Sequence, residues 1–172
     1  MVDPILSIEA CTTRYLRSDD AAAIQELIER CADYVQLVSG QLPQPNDGEE
    51  LLTDRPPNKS LDDKIVLGLF DVHDRLIGVL DAVRDYPVAA EWYIGLLMIE
   101  PDHRRRGLGA DVYRAFERWA ANLGARAIRL SVFQQNEQAQ RFWQRMGFEE
   151  VERRSQHFGE LDNIVIIMRR ET

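Results

Sequence analysis

Residues Glu91–Leu123 read EWYIGLLMIEPDHRRRGLGADVYRAFERWAANL, and the parsing of this stretch decides the fold. Tyr93–Ile99 is a short apolar run of strand length. Pro101-Asp102 breaks it, and Arg104, Arg105 and Arg106 lead into Gly107-Leu108-Gly109. Leu108, Val112, Phe116, Trp119 and Leu123 then recur on one face of a helix that Gly124 closes. A strand, a glycine turn and a helix start in direct succession aim unpaired N–H groups and the positive end of the helix dipole at one point. Glycine at such a turn lets the backbone approach a ligand with no Cβ between them. Three arginines add charge, and a pyrophosphate suits the pocket. A P-loop is excluded because Ala110-Asp111 follows Gly109, and a Rossmann turn is excluded because Val112 stands where its third glycine is required. On the turn alone, a basic bend that binds nothing fits equally well.

Downstream, Ala127–Phe133 alternates, with Ile128, Leu130 and Val132 on one face of a strand. Asn136 can cap a short helix whose apolar face is Ala139, Phe142, Trp143 and Met146, and Gly147 stops it. Glu149–His157 and Asn163–Arg169 form a closing hairpin around Phe158-Gly159. Upstream, Lys64–Asp71 and Arg75–Val83 flank Val72-His73-Asp74 as a hairpin, and Asp85-Tyr86-Pro87 interrupts before Glu91. Leu6–Leu16 reads as the first strand, and Ser18-Asp19-Asp20 offers caps for a helix with Ile24, Leu27, Ile28, Cys31 and Val35 on one face, ending near Gly40. Gln41–Lys59 holds four of the seven prolines and reads as a loop or lid.

The 172 residues suit one domain, 1–172, with a sizeable core. Hydrophobic residues make up 45% and charged residues 29%, with no apolar run near the roughly 20 residues a membrane span needs. The opening MVDPILSIEA lacks a basic segment followed by a long apolar core, so no signal peptide and a cytoplasmic location are expected. A net charge of −8 argues against general nucleic-acid binding and mildly favours a cationic substrate, although solubility explains it equally well. Cys11 and Cys31 lack metal-ligand spacing and are expected as small buried hydrophobes. His73 and His103 have no second ligand spaced for a metal and are expected to be solvated.

The two motifs together carry a resemblance. Arg104-x-x-Gly107-x-Gly109 after a strand, with Asn136, Ala139, Phe142, Gly147 and Phe148 downstream, resembles the GCN5-related N-acetyltransferase (GNAT) family, which moves acetyl from acetyl-CoA to amines. The likeness covers nearly the whole chain, strongest from Trp92 to Phe148 and weakest before Lys59. It implies a mixed α/β fold, a partly antiparallel central sheet flanked by helices in the order β-α-α-β-β-β-α-β-α-β-β. By the same resemblance, the backbone of Leu97, Met98 and Ile99 would pair with pantetheine, and Arg104, Arg105, Arg106, Gly107, Leu108, Gly109 and Ala110 would hold the pyrophosphate. Asn136 would reach the pantetheine arm, with Trp143 beside it. Acetyl-CoA would be the co-substrate, a small-molecule amine the acceptor, and no metal, nucleic acid or membrane would be involved; the architecture is compatible with a homodimer. Peptide N-termini or lysines, or an acyl-CoA-binding module without turnover, are the alternatives.

In the reaction the resemblance implies, a neutral amine attacks the thioester and charge builds on its carbonyl oxygen. A backbone N–H on the central strand, Leu97 first, could stabilise that charge. Two departures affect the remaining roles. Trp143 stands where relatives place a tyrosine to protonate the leaving thiolate, and an indole N–H is no practical acid. Tyr113 or Tyr93 could substitute. Ser131 stands where some relatives carry a glutamate, leaving Glu91 as the candidate base, with Asp81 and Asp85 behind it. Strand parity leaves that choice open, because a bulge would reverse which side chains face the cleft. Tyr34, Tyr86, Trp92 and Tyr93 are candidates for the acceptor pocket, beside a cation.

Overall fold

The computed structural model describes residues 5–172. The expectation that the chain opens without a targeting segment falls partly on residues 1–4, outside the described residues. Seven strands build one sheet: β1 (Thr12–Tyr15), β2 (Lys64–Phe70), β3 (Leu76–Val83), β4 (Glu91–Ile99), β5 (Ala127–Phe133), β6 (Glu149–Phe158) and β7 (Leu161–Glu171), in the spatial order β1-β2-β3-β4-β5-β7-β6. All neighbours are antiparallel except β4 and β5. A parallel pair needs a crossover, and α4 (Leu108–Asn122) provides it.

The sheet buries both faces. Helix α4 and α5 (Glu137–Arg145) cover one, where Val112, Phe116 and Trp143 pack on Leu67, Leu80, Ile94, Ile128 and Leu130. Against the other lies α1 (Ala21–Arg30), placing Ile24, Leu27 and Ile28 on Val66, Val79 and Met98. Each such side chain, fully buried, contributes about 1.5–3 kcal/mol from its removal from water. Leu123, expected on the α4 stripe, instead lies at the C-cap and is exposed.

The N-terminal region departs most from the sequence expectation. The first strand is four residues long, not eleven; Leu6 is buried beside it, its N–H donating to Thr13 Oγ1 at 2.8 Å. The single helix expected up to Gly40 is two, α1 and α2 (Ala32–Ser39), separated at Cys31, whose backbone leaves helical geometry (φ −101°, ψ 25°). No glycine or proline marks that bend, so the apolar spacing runs through it unbroken. The proline-rich loop contains a further helix, α3 (Asp47–Thr53), seated on α1 through Gly48, whose N–H donates to Gln25 Oε1 at 2.9 Å. A seven-residue helix is too short for periodicity to declare; the contact with α1 stabilises it.

The sheet is split along β4 and β5. They pair only from Glu91 to Ile94, opposite Ala127 to Leu130. Beyond that point β4 stays with β3 and β5 stays with β7. The β3–β4 register slips between Asp81 and Ala82, so that Ala82 faces Ile94 and Asp81 faces Leu96. Gly95 is the extra residue, and the bulge turns Leu96–Ile99 away from β5.

Candidate active site

A cleft of about 890 Å³ opens where β4 and β5 part. This lies within the range of small-molecule sites, about 300–1,000 Å³. Its floor is Ile94–Ile99, with the N-terminal end of α4 and α5 on one side and Tyr34 and Leu37 of α2 on the other. Along β4, Glu100 N–H donates to Ile77 O on β3, whereas Ile99 O turns away and accepts from Arg104 Nε at 2.6 Å. Backbone groups alternate along a strand, so Leu97 shares the direction of Ile99 and Met98 that of Glu100. The Leu97 N–H and C=O therefore face the cleft, where β5 has left them without a ladder partner. Met98, expected beside them, turns its backbone polar groups into the β3 ladder and its side chain into the α1 core.

The glycine turn stands at the other end of this floor. Gly107 is the N-cap of α4 with φ +85°, a left-handed conformation that a side chain resists. Among the described residues none accepts from the N–H groups of Arg105, Arg106, Gly107, Leu108 or Gly109. Ala110 N–H is already engaged by Gly107 O at 3.0 Å. The three arginines differ in placement. Arg104 is tied to Asp33 on α2 (2.5 and 3.2 Å) as well as to Ile99 O, so it braces the site. Arg105 lines the cleft; the Arg106 and Leu108 side chains do not, Leu108 being buried in the core. Arg114 and Arg145 also line it. Arg114 lies four residues after Ala110 and therefore on the same helix face, a signal present in the sequence but not used there. Asn136 caps α5, its Oδ1 accepting from Ala139 N–H at 3.1 Å, and it lines the cleft as well.

Trp143 lines the cleft while its ring packs edge-on against Tyr113, Phe142 and Phe148, with centroids 4.8–5.4 Å apart. Tyr113 is fully buried beneath it and donates to Glu117 Oε1 at 2.9 Å; burial and that carboxylate push its phenol far up. It does not line the cleft. Tyr93 lies on the opposite sheet face, hydrogen-bonded to Ser131 and edge-on to Tyr86 at 5.5 Å. Trp92 points into the α4 core against Phe116 and Trp119, away from any acceptor.

Glu91 is not placed as a base. It sits at the closed end of the β4–β5 pair, away from the cleft lining, with Arg129 Nε at 2.5 Å from one oxygen and Arg169 Nε at 2.8 Å from the other. Burial opposes its ionisation, but the two guanidiniums outweigh it and hold the carboxyl below its usual range. Asp85 bonds Ala90 N–H at 2.7 Å and shapes the turn before β4. His103, expected to be solvated, has Nδ1 2.8 Å from Glu100 Oε1, while His73 is exposed in its turn. Cys11 and Cys31 are buried free thiols, and burial pushes Cys11 up to about 11. Among the described residues no cluster of three or more His, Cys, Asp or Glu side chains could hold a metal, and no helix is long and apolar enough to cross a membrane.

Comparison with known proteins identifies the family and the fold. The sequence profile of the Acetyltransferase (GNAT) family matches residues 22–148. An acetyltransferase from Thermus thermophilus is similar at 26% identity, over 95% of this chain and 97% of its own, with a TM-score of 0.74. Two more distant structures share the fold. A GCN5-related N-acetyltransferase from Kribbella flavida is 20% identical over 96% of this chain and 100% of its own (TM-score 0.70). The ribosomal-protein-S18-alanine N-acetyltransferase from Escherichia coli is 16% identical over 94% and 93% (TM-score 0.70). A search of curated protein sequences found no match.

Proposed function

Because the chain belongs to the acetyltransferase (GNAT) family, whose members use acetyl-CoA or another acyl-CoA, we propose that it transfers acetyl from acetyl-CoA to a primary amine of a small molecule. The observation that carries this reading is the split at Gly95, which leaves the Leu97 N–H open beside a helix N-terminus with unpaired amides. The Arg105–Gly109 amides, with Arg105, Arg114 and Arg145 around them, hold the pyrophosphate. The freed edge of β4 takes the pantetheine amide as a partial extra strand. Leu97 N–H stabilises the charge that develops on the thioester oxygen as nitrogen attacks. Asn136 and Trp143 flank the arm, and the described residues act as one domain around a single sheet.

A small acceptor is favoured over a peptide by a strap across the far end of the cleft. Asn163 Nδ2 donates to Val38 O at 3.0 Å, Gln135 Nε2 to Leu37 O at 3.2 Å, and Glu160 N–H to Ser39 O at 2.8 Å. These bonds tie α2 to β7, to its hairpin and to the loop between β5 and α5, so an extended chain approaching from that side would have to part them. Purified protein with acetyl-CoA and a panel of amines, followed by free-thiol release and acetyl-amine mass, tests the proposal. Trp143 in the tyrosine's place favours a second reading, an acyl-CoA-binding module without turnover. Tight CoA binding with no thiol release from any amine or N-terminal peptide establishes the second reading instead.

A further inference from the structure

Glu91 is closed between two arginines, and the bulge presents another carboxylate. Gly95 is exposed and lines the cleft. A Cβ built on it would lie 2.8 Å from Asp81 Oδ2. The extra residue of the bulge is thus a glycine because Asp81, reaching over from β3, fills the space a side chain would take. This brings a carboxylate oxygen to the point where the strands part, two residues from Leu97. The other oxygen, Oδ1, accepts from Lys64 Nζ at 2.7 Å, and Lys64 is almost wholly buried. Among the described residues no donor meets Oδ2. Asp81 itself lies behind the cleft lining and is largely buried, and its only approach to the cleft is across the exposed Gly95 backbone. Anchored through one oxygen and unpaired at the other, it can take a proton at that point.

Resting on the acetyltransferase reading, we infer that Asp81 receives the acceptor as an ammonium and takes its proton, so that the acceptor is an aliphatic amine basic enough to arrive protonated. In the step, Asp81 Oδ2 takes one proton from R–NH3+ and passes it to water after turnover. The freed nitrogen lone pair forms the C–N bond as the C–S bond breaks, and the departing thiolate takes the second proton from nitrogen. The products are R–NH–acetyl, CoA thiol and one solvated proton.

The charges facing Asp81 are Lys64 from β2 and Asp54 from the end of α3; β4 offers only the Gly95 backbone. Burial pushes the carboxyl up to about 6; Asp54 adds to the rise and Lys64 opposes it. A base poised near neutrality matches proton transfer at physiological pH. Its active form is the ionised one, so activity is full above about 6 and falls as the pH drops through that value.

The test is the pH profile of kcat/KM for wild type, Asp81→Asn, Lys64→Met and the Lys64→Met/Asp81→Asn double variant. The double variant removes both charges and leaves none buried without a partner, covering the case in which the single change destabilises the fold. Expected for an aliphatic amine are an acid limb near 6 in the wild type, a loss on the order of 100-fold in both Asp81→Asn proteins, and a limb moved to higher pH in Lys64→Met. A weakly basic aromatic amine or alkoxyamine, neutral at about pH 7, should lose less than about threefold in the same variants. Equal loss for both amine classes, or an acid limb unmoved by Lys64→Met, overturns the assignment. No thiol release by the wild type with any amine overturns the acetyltransferase reading and this inference with it, whereas turnover without Asp81 dependence overturns this inference alone.

Discussion

Replacing Glu91 with glutamine separates two roles for a buried carboxylate on the central strand. Each Glu91 oxygen meets one arginine Nε, Arg129 from β5 and Arg169 from β7, and those arginines stand directly opposite each other in the β5–β7 ladder. The triad therefore ties together the three strands that adjoin the closed end of the cleft. A hydrogen bond to a charged group contributes about 1.5–3 kcal/mol. Both guanidiniums are about a quarter exposed and can recover hydration, so the lower end applies to each. Glutamine keeps one acceptor oxygen but loses the charge, which puts the expected cost at about 2–3 kcal/mol. For a domain of this length that is a fall of roughly 5–10 °C in Tm. Because the folded carboxyl titrates below its unfolded value, its contribution is complete above about pH 4.3 and disappears as pH falls through the lower folded value. Urea unfolding of both proteins between about pH 3 and 8 reads this difference, which should be constant near neutrality and close at the acid end. The kcat/KM of Glu91→Gln, at a temperature where both proteins are folded, should stay within about threefold with an unaltered acid limb. An unchanged Tm together with a loss of the acid limb would refute this reasoning and return Glu91 to the role of base.

Gly107→Val should leave the fold intact but unsettled by about 1–2 kcal/mol, since a side chain at φ +85° is strained while nothing lies within 4 Å of the new Cβ. CoA affinity by calorimetry should fall at least about tenfold, and an unchanged affinity would remove the turn from the cofactor site. Trp143→Tyr should lower stability by about 1–2 kcal/mol through loss of ring contact with Tyr113, Phe142 and Phe148. Its thiol release should match or exceed the parent's; a collapse of activity with CoA still bound would show that the indole itself is needed. Gly95→Ala should displace Asp81 from its position 2.8 Å from the new Cβ, lowering kcat/KM for aliphatic amines more than CoA affinity. Equal losses in both would show that the bulge serves the thioester arm alone.

The sequence by itself determined the elements proposed to hold the cofactor. Strand, turn and helix at Glu91–Leu123 obey local rules: an apolar run of strand length, a glycine that can adopt φ +85°, and a stripe at helical spacing. Helix α5 is equally local, with Asn136 as its cap and Trp143 on its apolar face. What only the tertiary structure decided is the acceptor end, where groups distant in sequence meet. Nothing in the spacing of Ile24 to Val35 announces the bend at Cys31 that turns Tyr34 and Leu37 toward the cleft. Glu91 and Asp81 look alike as strand carboxylates. One is neutralised by arginines 38 and 78 residues away in sequence, and the other keeps one oxygen unpaired beside a one-residue slip in register. Side-chain direction on a strand has a period of two, so a single bulge at Gly95 reverses which residues face the opening, and only the pairing of β3 with β4 shows where the bulge falls.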